Sequence, residues 1–165
     1  MKLRTVIGSL LACFALAASG VGVAQTTGGS VVIAVNAEPD SLDPQKSATA
    51  VVNQVMRYIG DTLVNKDLDG NYIPGLATSW TPSADDTVWT FTLRENVKFH
   101  NGRPMNAEAV RASFLRAKDP ATQSAVAAGL LAPVDDVVAV GDYTVEFRLS
   151  RPYYLLIENL TQQAL

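Results

Sequence analysis

The sequence holds one cysteine, Cys13, and one histidine, His100, in 165 residues. Cys13 lies in an apolar leader, so the chain beyond it can form no disulfide and offers no thiolate. A Ser–His–Asp triad or a zinc site needs histidine beside further nucleophiles or ligands. His100 stands alone next to Asn101-Gly102, which points to a structural or solvent-facing role. Basic residues are sparse too: 13 Lys and Arg against 16 Asp and Glu, a net charge of −3, and no basic run. Nucleic-acid binding needs clustered cations to neutralise phosphates, so that class is excluded. There is no GxxxxGK[ST] phosphate loop, no GxSxG elbow and no internal repeat. The acid pairs Asp85-Asp86 and Asp135-Asp136 are adjacent, which in a strand points their side chains apart. Glycosidase chemistry needs two carboxylates facing each other across a bond, and a metal site at Asp85-Asp86 would need a third oxygen ligand at loop spacing. No catalytic residue, metal or cofactor is therefore expected.

Residues 1–24 have the pattern of a secretory signal peptide. Lys2 and Arg4 give a positive start, Val6 to Ala18 is almost wholly apolar, and Gly22-Val23-Ala24 places small residues for cleavage after Ala24. Removal of Lys2 and Arg4 with this segment takes the net charge to −5. Leu10-Leu11-Ala12-Cys13 faintly resembles a lipoprotein cleavage box, but apolar residues continue beyond it, which favours soluble export over a lipid anchor. No later stretch is long and apolar enough to span a bilayer.

After a Thr/Gly/Ser lead-in over residues 25–30, Val31 to Val35 is a continuous apolar run rich in β-branched residues, the pattern of a strand buried on both faces in an α/β sheet. Asn36 to Pro44 follows as an acidic, proline-bearing loop. Loops at the carboxyl ends of such strands commonly carry ligands. For Glu38 and Asp40 a ligand role and a plain turn role stand open, whereas Asp43, ahead of Pro44, reads as a turn stabiliser. Thr49 to Ile59 is expected to be a helix with an apolar stripe of Val51, Val52, Val55, Met56 and Ile59, capped by Thr49 and closed by Gly60. A short strand at Leu63-Val64-Asn65 and a turn at Asp67 to Gly70 come next. Trp80 reads as a buried anchor. Alternation from Val88 to Phe99 predicts a half-buried strand with Trp89, Phe91 and Leu93 on one side, entered through a turn at Asp85-Asp86. Asn101-Gly102 is a tight-turn pair. Asn106 caps a helix from Ala107 to Lys118, stopped by Asp119-Pro120, with Val110, Phe114 and Ala117 inward and Arg111, Arg116 and Lys118 mostly toward solvent. Residues 120–132 form a weak helix or a loop. Val134 to Val140 and Tyr143 to Leu149 predict a hairpin across Gly141-Asp142, with Tyr143, Val145, Phe147 and Leu149 buried. A further helix begins at Tyr153. The fold class is thus mixed α/β.

Several ordered blocks resemble the extracytoplasmic solute-binding proteins of ABC importers, family 5, which serve peptides and nickel. They are Leu76-Ala77-x-Ser79-Trp80, Trp89-Thr90-Phe91-x-Leu93-Arg94, Val97-Lys98-Phe99-His100-x-Gly102 and Ala107-Glu108-x-Val110. The likeness extends to Glu38-Pro39-x-Ser41-Leu42-Asp43-Pro44, to Asp69-Gly70-x-Tyr72-x-Pro74 and to Asp142-Tyr143-Thr144-Val145-x-Phe147-x-Leu149-x-x-Pro152. Ala109 departs from the family, which usually has Asp there; the loss concerns helix capping.

The resemblance implies the amino-terminal part of a periplasmic-binding-protein-like (type II) lobe over residues 31–165, with an extra hairpin-and-helix subdomain. The second lobe and the hinge strands would lie in further chain. It implies that Glu38, Pro39, Asp40 and Ser41 border the ligand cleft, that the partners are a peptide or similar small solute and an ABC permease, and that the protein is a monomer. Relatives also carry nickel chelates, opines and oligosaccharides. Two other readings remain: an exported hydrolase of α+β build, resting on the acids and His100, and a ligand-independent interaction module.

Overall fold

The computed structural model describes residues 28–47, 49–124 and 126–162. The leader, its cleavage point after Ala24, Cys13 and residues 25–27 and 163–165 lie outside them. The chain divides into two compact units, Met1–Ala34 and Val35–Leu165, each taken by itself.

The expected buried strand over Val31 to Val35 does not form. Val31 and Val32 are 86% and 95% exposed, and no described residue from 28 to 35 belongs to a strand. β-Branching gives a segment strand propensity, but a strand exists only when a neighbour completes its N–H and C=O bonds.

The second unit is built on a four-stranded antiparallel sheet, β3 (Ala77–Pro82), β4 (Val88–Leu93), β5 (Val134–Ala139) and β6 (Thr144–Leu149), in the order β3-β4-β6-β5. Two hairpins thus meet through their second strands, with Trp89 opposite Phe147 and Phe91 opposite Val145. Period-two alternation puts Trp89, Phe91, Leu93, Val145, Phe147 and Leu149 on the covered face. The β4 strand is shorter than the sequence pattern implies. It stops at Leu93, and Asn96 adopts a left-handed backbone, φ 61°, that breaks the ladder before Phe99. Asp86, φ 55°, makes the expected turn into β4. The turn of the second hairpin is wider than two residues: the Val140 N–H donates to the Thr144 carbonyl, leaving Gly141 to Tyr143 as the loop. A register shift between Val134 and Asp136 exposes both Asp135 and Asp136, where regular pleating would have set them on opposite faces.

Helix α2 (Ala107–Lys118) covers this face; α1 precedes it in the chain, at Ala50–Ile59. The Asn106 side chain accepts from the Ala109 N–H at 2.9 Å, so the N-cap bond forms without an acid at 109. Val110, Phe114 and Ala117 are buried, and the Phe114 ring meets Phe147 edge-on at 4.8 Å and 85°. Phe91 also meets Phe147 edge-on, at 5.2 Å and 70°. Trp80 is only partly buried and stacks over Phe91 at 6.4 Å. Lys118, expected mostly in solvent, instead donates to the Val134 and Asp135 carbonyls and ties α2 to β5.

A second, two-stranded sheet pairs β1 (Val64–Lys66) with β2 (Tyr72–Pro74) around a turn with Gly70 at φ 86°. The weak region 120–132 resolves into a 3-10 turn over Pro120–Thr122 and a short helix α3 (Ala127–Leu130). The last helix, α4 (Leu156–Asn159), is shorter than expected. Lys66 Nζ lies 2.5 Å from Glu158 Oε2, which also accepts from Tyr72 at 2.9 Å, joining α4 to the small sheet. In α1, Val52 and Met56 are buried, whereas Ile59 of the expected stripe is 49% exposed.

Candidate functional site

The candidate residues Glu38, Pro39, Asp40 and Ser41 sit in an irregular loop that carries no ladder bonds, so side chains must fix its course. Asp40 does this at one end. Its Oδ1 accepts from the Ser47 hydroxyl at 2.7 Å and from the Thr49 hydroxyl at 3.3 Å. The Ser47 bond above all holds the Asp40 carboxyl below its ordinary range. Thr49 therefore spends its hydroxyl on Asp40 and Ser47, and gives α1 no side-chain cap. Ser41 Oγ accepts from the Asp43 N–H at 2.9 Å. Asp43 in turn accepts the Gln45 N–H at 3.1 Å, and its carbonyl accepts from Lys46 and Ser47. The turn reading of Asp43 is what the structure shows.

Two contacts were invisible in the sequence. Arg116 of α2, 73 positions away, donates to both Asp43 carboxylate oxygens and to Gln45 Oε1. Gln45, 5% exposed, donates onward to the Ser113 carbonyl at 3.0 Å and to its hydroxyl at 3.3 Å. Arg116 leads the causes that hold the Asp43 carboxyl below its ordinary range; Asp43 raises Arg116 in return. No local pattern signals a pairing at that separation.

Glu38 differs from its neighbours. It is exposed, and no hydrogen bond or ion pair engages its carboxylate among the described residues. Of the loop acids, Asp43 is engaged through both carboxylate oxygens and Asp40 through Oδ1, while Glu38 keeps its lone pairs.

His100 is exposed at the rim of an open groove of about 320 Å³, lined by Ile59, Asp61, Leu76, Lys98, Phe99 and Met105 among others. Glu38 to Ser41 are not among its lining residues. Among the described residues no hydrogen bond joins the imidazole to a carboxylate or hydroxyl, the contact that would orient a catalytic base. Among the described residues no three of His, Cys, Asp and Glu converge as metal ligands, and no helix is long and apolar enough to cross a membrane.

The profile of the bacterial extracellular solute-binding proteins, family 5 (middle region), matches residues 71–165. The chain belongs to this family. Similar proteins include the periplasmic murein peptide-binding protein MppA of Escherichia coli K12, 37% identical over 140 residues, covering 75% of this chain and 26% of the relative. The nickel-binding periplasmic protein of the same organism is 32% identical over 160 residues, covering 96% of this chain and 29% of the relative. Among solved structures, Haemophilus influenzae OppA in complex with the peptide RPPGFSPFR superposes with a TM-score of 0.73 at 30% identity, over 78% of this chain and 28% of the other. The family 5 chain described here therefore spans just over a quarter of the length of these relatives. The fold is mixed α/β and corresponds to part of a type II periplasmic binding protein.

Proposed function

We propose that the chain is the amino-terminal portion of an exported, non-enzymatic, monomeric solute-binding component of an ABC importer. Residues 1–24 direct export and are removed after Ala24. The remainder works outside the cytoplasm, takes a peptide or similar small solute, and delivers it to a membrane permease. Residues 31–165 form the opening of the first lobe, and Glu38, Pro39, Asp40 and Ser41 contribute one wall of the cleft. Closure of two lobes around the solute produces the form the permease reads. The match of residues 71–165 to family 5 carries this reading. The free carboxylate of Glu38, on a loop held in place by its neighbours, supports the assignment of the wall.

The test is an NMR titration of short peptides into residues 25–165. The expected result is weak, millimolar binding, with shifts concentrated at the Glu38, Asp40 and Ser41 amides, because one wall cannot enclose a ligand. Nanomolar binding by this segment alone would overturn the two-lobe reading. Shifts confined to the groove by Phe99, with none in the loop, would overturn the site.

A further inference from the structure

Arg116 looks like an ordinary surface cation, with its side chain 47% exposed. Its geometry is not ordinary. The guanidinium spreads over two residues of the same turn, both oxygens of Asp43 and the amide oxygen of Gln45. A planar fork can serve three acceptors at once, which a lysine ammonium on a flexible stem does with less order. Each acceptor is already committed to the loop. Asp43 Oδ1 also holds the Gln45 N–H, and the Asp43 N–H is bound to Ser41 Oγ. Gln45 is buried and anchored to Ser113 one turn earlier on α2. Arg116 thus reaches candidate residue Ser41 through a single intermediate, Asp43. Asp40 is held by Ser47 and Thr49, and the Ser47 N–H also bonds the Asp43 carbonyl, so both parts of the loop meet at Asp43.

We infer that Arg116 is a positioning residue for the ligand loop: acting through Asp43 and Gln45, it fixes Glu38 to Ser41 against α2 without touching the solute. This rests on the reading of residues 38–41 as a cleft wall. A merely structural ion pair would change overall stability slightly and leave binding alone. A positioning residue changes the order of one loop and the affinity together.

The experiment compares the whole chain with its Arg116→Gln, Arg116→Lys and Asp43→Asn variants by amide hydrogen exchange, with and without a short peptide. Loss of the fork should speed exchange at residues 40–47 by about three- to fivefold, the range of one partly exposed ion pair. Amides of β4 and β6 should keep their protection and serve as the folding control. Peptide-induced protection at 40–41 should weaken by a similar factor. Arg116→Lys should recover only part of each effect. Arg116→Gln combined with Asp43→Asn should cost less than the sum of the two, because both remove the Arg116–Asp43 pair while Arg116→Gln alone also loses the bond to Gln45. Unchanged exchange at 40–47 in Arg116→Gln overturns the inference. So does faster exchange with peptide protection intact, which would leave Arg116 a structural residue only. If peptide gives the unaltered chain no protection at 40–41, the cleft-wall reading itself falls, and that outcome is distinct from the other two.

Discussion

Phe147 is the residue on which the sheet, the helix and the two hairpins converge, and its truncation gives the sharpest test of the fold. It is fully buried on the central strand β6, with Phe91 edge-on at 5.2 Å and Phe114 edge-on at 4.8 Å. Phe→Ala in a core costs about 3–5 kcal/mol from lost transfer energy and the cavity left behind. Edge-to-face pairs contribute about 0.5–1.5 kcal/mol each beyond area burial, and two are lost here, which puts Phe147→Ala at the upper end, about 4–5 kcal/mol. A single domain holds about 5–15 kcal/mol in total, so the variant gives up about a quarter or more of its stability. In urea, with a slope of about 1–3 kcal/mol/M, the unfolding midpoint should fall by about 1.3–5 M at unchanged slope. Phe147→Leu, which keeps most of the volume, should lose about half as much or less. A loss below about 2 kcal/mol for Phe147→Ala would refute the three-ring hub, because it would mean that the site collapses freely around the missing ring.

Two further expectations follow from backbone approach and from charge. A Cβ at Gly75 would lie 2.4 Å from the Thr62 carbonyl oxygen and 2.9 Å from that of Leu63. Both atoms are backbone, fixed by bonds from the Leu76 and Ala77 N–H groups, so Gly75→Ala should cost about 1–3 kcal/mol in urea unfolding, and a neutral result would show that this joint can open. The carboxyls of Asp40, Asp43, Asp67, Asp85 and Glu158 all sit below their ordinary values of 3.8 and 4.5 through hydrogen bonds and ion pairs. The unfolded chain then binds more protons than the folded one below pH of about 4.5, so stability is fully present above the unfolded values and is lost as pH falls through the folded ones. Thermal unfolding should give a flat Tm from about pH 7 to 5 and a decline below about pH 4; a Tm that rises on acidification would contradict these contacts.

Sequence patterning made the sheet and α2 legible because their period is written in side chains that face one core. Trp89, Phe91 and Leu93, then Val145, Phe147 and Leu149, alternate as they pack, and Asn106 and Asp119 bound the helix where capping chemistry places them. The misreadings share a cause. Val31 to Val35 has every local attribute of a buried strand, yet burial depends on neighbours that a run of five residues does not specify. Gly75 carries no local signal, since its backbone angles are unexceptional and only the approach of Thr62 forbids a side chain. The loop was found by its prolines and acids, but the division of labour within it was not. Asp40 and Glu38 look alike in sequence, and only Ser47 and Thr49 folding back onto Asp40 separates them. Arg116 read as a solvent-facing residue near a helix end, where a cation suits the dipole. It is indeed half exposed, yet its partner lies 73 positions back.

On the proposed reading, this division of labour sets a limit on what the loop can do alone. Glu38 offers an unengaged carboxylate to a cationic or N–H-bearing solute, but it stands in water. An ion pair exposed to solvent is worth about 0–1 kcal/mol, and even a well-ordered loop cannot raise that, because the dielectric around it is that of bulk water. Order and exclusion of water therefore contribute separately. The bonds from Arg116, Asp43 and Asp40 reduce the entropy lost when the loop meets a ligand, while a stronger charge interaction requires a second surface that removes solvent from Glu38. A loop fastened this firmly before any ligand arrives suits a binding mode in which one wall is preset and the affinity is completed by whatever closes over it.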